Sequence, residues 1–332
     1  GFLVEMPLNT RRARATTIGN VGTPPRDDGM TMLRDFVGYG RNPPRVQWPK
    51  GARLAVNVAV HYEEGGERCI AFGDEACEHW GVDAVGLSGP ATLPSGRNFL
   101  VEEQFEYGST TGVWRLLDIF SDYGVRATFF CVGQALERNP RAAAAIPARG
   151  HEAASGGYRW IPHHDLGRQL EREQLEQNVA AIERLTGTRP VGQRTFMPSV
   201  HTRQLLVEEG GFIYDSDFLA DDLPWFTTVN GKRWLLVPHT PSCDDIRYMR
   251  SNGMVEPEEF FLYLVETFER LYKESAKVPK MMTVALRPRI SGMPDRATTV
   301  ERFIHFALSH PGVWFARRDE IARVWWEQFG ES

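Results

Sequence analysis

The contrast between apolar and polar positions is sharpest between Arg53 and Glu67, RLAVNVAVHYEEGGE, an almost unbroken apolar run with an acidic end. Leu54 to Val60 carries one polar side chain, Asn57, so the pattern predicts a strand buried on both faces, as in parallel sheets covered by helices. The run stops at His61-Tyr62-Glu63-Glu64 and turns at Gly65-Gly66-Glu67. In α/β sheets and barrels, ligands sit at the carboxyl ends of the strands, which makes this acidic strand end a candidate active-site floor. The ordinary alternative is that Glu63, Glu64 and Glu67 are solvated residues of a surface loop.

The same reading continues along the chain. Residues 68 to 106, with Gly73, Gly81, Gly86, Gly89-Pro90 and Pro94, predict a long irregular excursion of the kind that is usually functional. Val113, Leu116, Leu117 and Phe120 fall at helical spacing, and Gly124 can close that helix. Further strands are expected at 127–132, 151–157, 190–196, 211–217, 234–239, 280–286 and 313–316. Helices are expected at 134–148, 165–186, 202–209, 257–274, 295–309 and from Asp319. Strand and helix thus alternate about seven times with no internal linker. That favours one βα domain over residues 51–332, as a closed or nearly closed barrel. Residues 1–50, rich in Gly, Pro, Arg and Thr, predict an extended arm whose Phe36, Tyr39 and Trp48 need a surface to cover.

Charge and cysteine content narrow the partners. A net charge of -5 argues against nucleic acid or an anionic membrane surface, and no segment has the roughly 20 apolar residues of a membrane span. The four cysteines form no CxxC pair, so disulfides are not implied and a cytoplasmic setting is expected. Gly65-Gly66 lacks the spacing of a phosphate-binding loop. A small-molecule substrate is expected, and the arm and long loop predict a homo-oligomer.

Read together, HYEEGGE, FEYGSTTGVWRLLDIFSDYGV, ALERNP, GHEAASGGYRWI, RLTGTRPVG, VEEGGFIYDSD, DDLPW, VPHT, PKMMTVAL and RRDEIARVWW resemble the polysaccharide-deacetylase (NodB-like, carbohydrate esterase family 4) superfamily. The similarity runs from Phe36 to Trp326 and is greatest to the branch holding metal-independent allantoinases and cyclic-imide hydrolases. The resemblance implies a distorted (β/α) barrel of about seven strands and hydrolysis of a C–N bond, in an N-acetyl group or a ring amide. It also marks departures. Where that superfamily has paired aspartates this chain has Glu63-Glu64; where it has zinc-binding histidines this chain has Gly156 and Trp160; where it has a general-acid histidine this chain has Arg287.

Amide hydrolysis needs an activated water, support for an oxyanion and a proton for the leaving nitrogen. The expected catalytic residues are Glu63 and Glu64 as bases, Arg287 as an oxyanion or carboxylate partner, and Asp245. Expected binding residues are Tyr62, Glu106, Tyr107, Tyr158, Trp160, His164 and His239, with the aromatic pair favouring a flat ring over a sugar chain. Ser109 or Thr110 could instead serve to cap a helix there. No HxH or HxxxH spacing is present, so no metal is expected; Glu64, His164 and His201 are the remaining set that could assemble one. The alternative function is a catalytically silent relative that binds a small ligand or partner subunit.

Overall fold

Nine strands order the described residues: β1 (Leu54–Tyr62), β2 (Thr128–Cys131), β3 (Glu152–Ser155), β4 (Gly192–Gln193), β5 (Tyr214–Asp215), β6 (Trp225–Val229), β7 (Lys232–Leu236), β8 (Lys280–Leu286) and β9 (Val313–Phe315). The computed structural model describes residues 35–82, 96–250 and 253–331. Its helices are α1 (Phe99–Tyr107), α2 (Val113–Asp122), α3 (Gly133–Arg138), α4 (Pro140–Ala148), α5 (Arg168–Thr186), α6 (Thr202–Glu209), α7 (Pro257–Glu274), α8 (Pro288–Ser291), α9 (Pro294–Leu308) and α10 (Arg318–Phe329). None of them is long and apolar enough to cross a membrane.

The sheet runs β6-β7-β5-β4-β3-β2-β1-β8, and β9 pairs with the start of β1. All pairs are parallel except the β6/β7 hairpin. This is the distorted, incompletely closed barrel of the NodB-like fold. Instead of a β7/β8 ladder, the chain beyond β7 reaches β8 through a backbone bridge between Asp244 and Ala285 and a bond from Thr283 N to Thr240 Oγ1 (3.0 Å).

Several segments differ from expectation for local reasons. The excursion after β1 contains α1, capped by the Asn98 side chain accepting from Val101 N, while residues 83–95 of that excursion lie outside the described residues. The helix expected at 134–148 is two, because Asn139 leaves helical geometry before Pro140 and caps α4. The antiparallel partner of β7 adds a strand that turn chemistry at Asn230-Gly231, both at positive φ, makes intelligible. Of the expected arm, residues 1–34 lie outside the described residues; Trp48 is buried against Trp314 and Trp325, Tyr39 donates to Pro224 O (2.7 Å), and Phe36 is exposed.

Strand periodicity gives the barrel two unlike faces. Val56, Val58, Val60 and Tyr62 of β1 pack outward with Leu116, Leu117 and Phe120 of α2 and Val284 and Leu286 of β8 in the main apolar core. The alternate residues, Asn57, Ala59 and His61, face the interior. There the filling is layered. At the base, fully buried Arg318 donates from Nε to Asn57 Oδ1 (3.0 Å), from Nη1 to Ser216 Oγ, Val237 O and Pro238 O, and from Nη2 to Thr283 Oγ1 (2.7 Å). Above it Phe130 packs with Ala59 and Ala154. His61 and Arg287 then open the mouth.

Candidate active site

The mouth is built from strand ends. His61 is the penultimate residue of β1 and Glu63 follows it, Val132 follows β2, Gly156 follows β3, Arg194 and Thr195 follow β4, and Arg287 follows β8; with Phe130, Trp160 and Phe196 they line a partly enclosed cavity of about 40 Å³. Trp160 and Phe196 stack with centroids 4.9 Å apart, and Trp80 covers both at 5.8 and 5.1 Å. A larger open hollow of about 410 Å³ beside Trp234 and Trp326 is lined by no acid or imidazole, and its ionisable groups are Lys232, Arg233 and Arg323.

Two buried arginines organise the acids. Arg289 puts Nη2 2.7 Å from Glu63 Oε2 and Nη1 3.2 Å from Glu64 Oε1, while its backbone N, in the first turn of α8, donates to Glu64 Oε1 (3.1 Å). Its Nε donates to Gly81 O (2.9 Å), and its guanidinium lies over Phe105 and Trp160. Gly81 sits at φ 69°, and a Cβ there would come within 3.0 Å of Trp160, so this close approach needs glycine. Arg287 donates from Nη1 to Asp244 (2.6 Å) and Asp245 (2.8 Å), and its Nε lies 3.5 Å from Glu63. Asp245 also accepts from Arg287 N and Ser291 Oγ, and Asp244 from Ile246 N and His239 Nε2.

Burial without water shifts several groups. Glu64 is raised to about 7, chiefly by burial and against the pull of Arg289. Asp245 is raised to about 6 by burial, with Arg287 opposing. Asp244, beside the Arg287 guanidinium and His239, is held well below the usual carboxylate range. His61 is pushed well down and His239 down to about 3, first by burial and then by nearby guanidiniums, so both imidazoles stay neutral.

The structure brings Glu63, Glu64, Asp245, Arg287, Trp160 and His239 into one network, and the glutamates are buried, not solvated. Glu63 faces the cavity; Glu64 lies behind it, against Gly108. Other expected binding residues stand apart. Tyr62 is buried in the core with its OH on Ser109 Oγ (3.0 Å). Glu106 is exposed, Tyr107 accepts from Arg115, and Tyr158 donates to Glu137. His164 is exposed beside Asp165. Residues 108–112 form a π-helical turn joining α1 to α2, so Ser109 and Thr110 cap no helix start.

Sequence reasoning passed over His61, Asp244, Arg194 and Arg289. His61 was legible as the next interior position after Asn57 and Ala59. Nothing local distinguishes Arg289, whose role depends on a contact 225 residues away.

The family's zinc positions do not fit a cation here. Gly156 has no side chain, and the Trp160 indole N–H is a donor that offers a metal no free lone pair. Glu64, His164 and His201 form no metal-holding group among the described residues; His61, His239 and Asp244 do place ligand atoms within 4.8 Å of one another. That group also disfavours a cation, because Arg287 is bound to Asp244 and the charges of Arg287 and Arg194 bear on the imidazoles.

The site is thus a half-open barrel mouth with buried carboxylates at its strand ends. The polysaccharide deacetylase model matches residues 99–200. A Schizosaccharomyces pombe protein described as a "Putative polysaccharide deacetylase" is 32% identical over 314 residues, covering 89% of this chain and 98% of that protein. The solved structure of a "probable Polysaccharide deacetylase from Pseudomonas aeruginosa PAO1" is 43% identical with a TM-score of 0.85, and that of PuuE allantoinase is 41% identical with a TM-score of 0.85; each alignment covers 89% of this chain and 98% of the other. The chain belongs to the polysaccharide deacetylase family, hydrolases acting on C–N bonds.

Proposed function

We propose that the chain opens a small cyclic amide or imide without a metal, with Glu63 as the proton-transferring carboxylate. The carrying observation is a pair of buried polar atoms without hydrogen-bond partners on cavity-lining residues, His61 Nε2 and Trp160 Nε1, beside Arg287 Nε, whose nearest acid, Glu63, lies 3.5 Å away. Indole and guanidinium N–H groups are donors only, so they call for carbonyl oxygens in the ligand. Leaving a buried donor unpaired costs about 1–3 kcal/mol, which a bound planar carbonyl compound recovers. The aromatic wall of Trp160 and Phe196, rings tilted 32° to one another, and the small cavity favour a ring over an extended glycan. One of the solved relatives is an allantoinase by name.

In this reading Glu63 takes a proton from water as its oxygen adds to the ring carbonyl. The Arg287 and Arg194 charges balance the oxyanion. Glu63 then returns the proton to the ring nitrogen as the C–N bond breaks, leaving a ring-opened acid. Asp244 and Asp245 position Arg287, His239 orients Asp244, and Glu64 anchors Arg289. The test is a panel of allantoin, hydantoin, succinimide and N-acetylglucosamine oligomers, assayed after chelation with wild type and Glu63→Gln. Ring opening that survives chelation and is lost in the variant supports the proposal; loss of activity on chelation, or no ring amide consumed, overturns it.

A second reading, binding without turnover, is favoured by one observation: Arg289 and Arg287 both hold Glu63 and compete with water for its carboxylate. Ring amides that bind wild type and remain intact would establish it.

A further inference from the structure

Away from the cavity, the start of the excursion after β1 folds two cysteines onto α1. Cys69 N donates to Asp74 Oδ2 (2.8 Å), Phe72 N returns to Cys69 O (2.9 Å), and Gly73 at φ 94° turns the chain. Glu78 N then donates to Arg68 O (2.8 Å), which closes the loop and brings Cys77 beside Cys69. Asp74 is anchored in turn by Arg159 at 2.6 and 2.8 Å. Both thiols meet Glu102 of α1: Cys77 Sγ lies 3.6 Å from Glu102 Oε1, and the two sulfurs and a Glu102 oxygen all lie within 4.8 Å of one another. Neither cysteine is in a disulfide.

The geometry points to a thiolate metal site at Cys69, Cys77 and Glu102 that takes one borderline-soft divalent ion of the zinc type, independent of the catalytic reading above. Sulfur and carboxylate ligands at these separations suit a tetrahedral ion of zinc's size and softness, with water in the fourth position. Charge also matches. Two thiolates and a carboxylate exceed a divalent cation by one negative charge, and Arg97, which donates from Nε to Glu102 Oε1 (3.1 Å) and from Nη2 to Oε2 (2.5 Å), supplies the balancing positive charge and fixes the carboxylate. The loop is hydrogen-bonded in place, so little ordering remains to oppose binding. Metal binding would release the thiol protons.

An ion here would tie the loop to α1, and both lead to the cavity. Trp80, three residues beyond Cys77, covers Trp160 and Phe196; Phe105, three residues beyond Glu102, stacks under Arg289. The ion would therefore stiffen the aromatic cover.

The test uses the full chain, reduced and stripped of metal, titrated with Cd²⁺ and followed by its sulfur-to-cadmium ultraviolet band, with native mass spectrometry for stoichiometry. One ion per chain is expected, with Cys69 and Cys77 protected from alkylation in the metal-bound form. Cys69→Ser/Cys77→Ser should abolish the band, and Glu102→Gln should weaken binding about tenfold or more, with unchanged circular dichroism in each. Absence of the band in reduced protein, a band that persists in the double variant, or metal-independent alkylation of both thiols in wild type overturns the site. Alkylation of the wild type needs no variant to fold. Ring-amide hydrolysis is read separately, so either proposal can fail alone.

Discussion

Arg289 and Glu63 meet at 2.7 Å with the guanidinium fully buried and the carboxylate nearly so, and the same arginine carries Glu64 on its other nitrogen. One cation thus holds two buried acids. Removing it leaves Glu64 without a cation and Glu63 with Arg287 alone, whereas removing an acid leaves the arginine still paired. Arg289→Met is expected to destabilise the fold by about 3–5 kcal/mol, read by urea denaturation. Adding Glu64→Gln should recover part of that loss. Arg289→Lys should fail to rescue fully, because one ammonium cannot serve Glu63, Glu64 and Gly81 O at once.

Glu64 makes stability depend on pH in a direction opposite to that of a salt-bridged acid. Its folded value, about 7, lies above the ordinary 4.5, so between these values the folded state holds a proton that the unfolded chain has released. Stability from this group is full below about 4.5 and is lost as pH rises through 7. Relative to Glu64→Gln, wild type should lose at most about 1.4 kcal/mol per pH unit across that window. Chemical denaturation of both proteins at several pH values measures it. A difference that stays flat from pH 5 to 8 contradicts the assignment.

Trp160→Phe keeps the stack on Phe196 and Trp80 and deletes the unpartnered indole N–H. The expected result is unchanged or slightly higher stability with ring-amide binding weakened about fivefold to tenfold, the value of one ordinary hydrogen bond. Calorimetric titration against hydantoin separates the two effects. Equal affinity in both proteins would show that the indole donor does not face the ligand.

Asn57→Ala should act at the base of the barrel, remote from the chemistry. It removes the acceptor of Arg318 Nε and the donor to Ala316 O. A cost of about 1–3 kcal/mol is expected from the stranded guanidinium, seen as a lower melting temperature with unchanged hydrolysis kinetics at the assay temperature.

The architecture was legible because it is written in local periods. The boundaries of β8, α6 and α7 follow from apolar spacing, with Glu259 capping the start of α7 and Gly210 ending α6 at positive φ. The site was legible in part. The strand-end rule located Glu63, Glu64 and Arg287, and the resemblance marked Gly156 and Trp160, which the structure places on the cavity wall. His164, Tyr158 and Glu106 were expected to join them, but their side chains project to solvent or to surface partners.

By itself, then, the sequence determined a parallel βα framework and an acidic strand end, since both depend on short-range spacing and on which residues water excludes. Only the tertiary structure decided what the buried charges do. Asn57 looked like an isolated polar residue in an apolar strand; it is a ligand to Arg318, 261 residues away, which fills the base of the barrel with hydrogen bonds and no acid partner. Glu63 looked like one of two equivalent bases; the reach of Arg289 from the far end of the chain puts Glu64 behind it and leaves Glu63 on the cavity. A charge's role inside a protein is set by the counter-charge and donors within a few ångströms, and those neighbours are chosen by the fold rather than by adjacent residues.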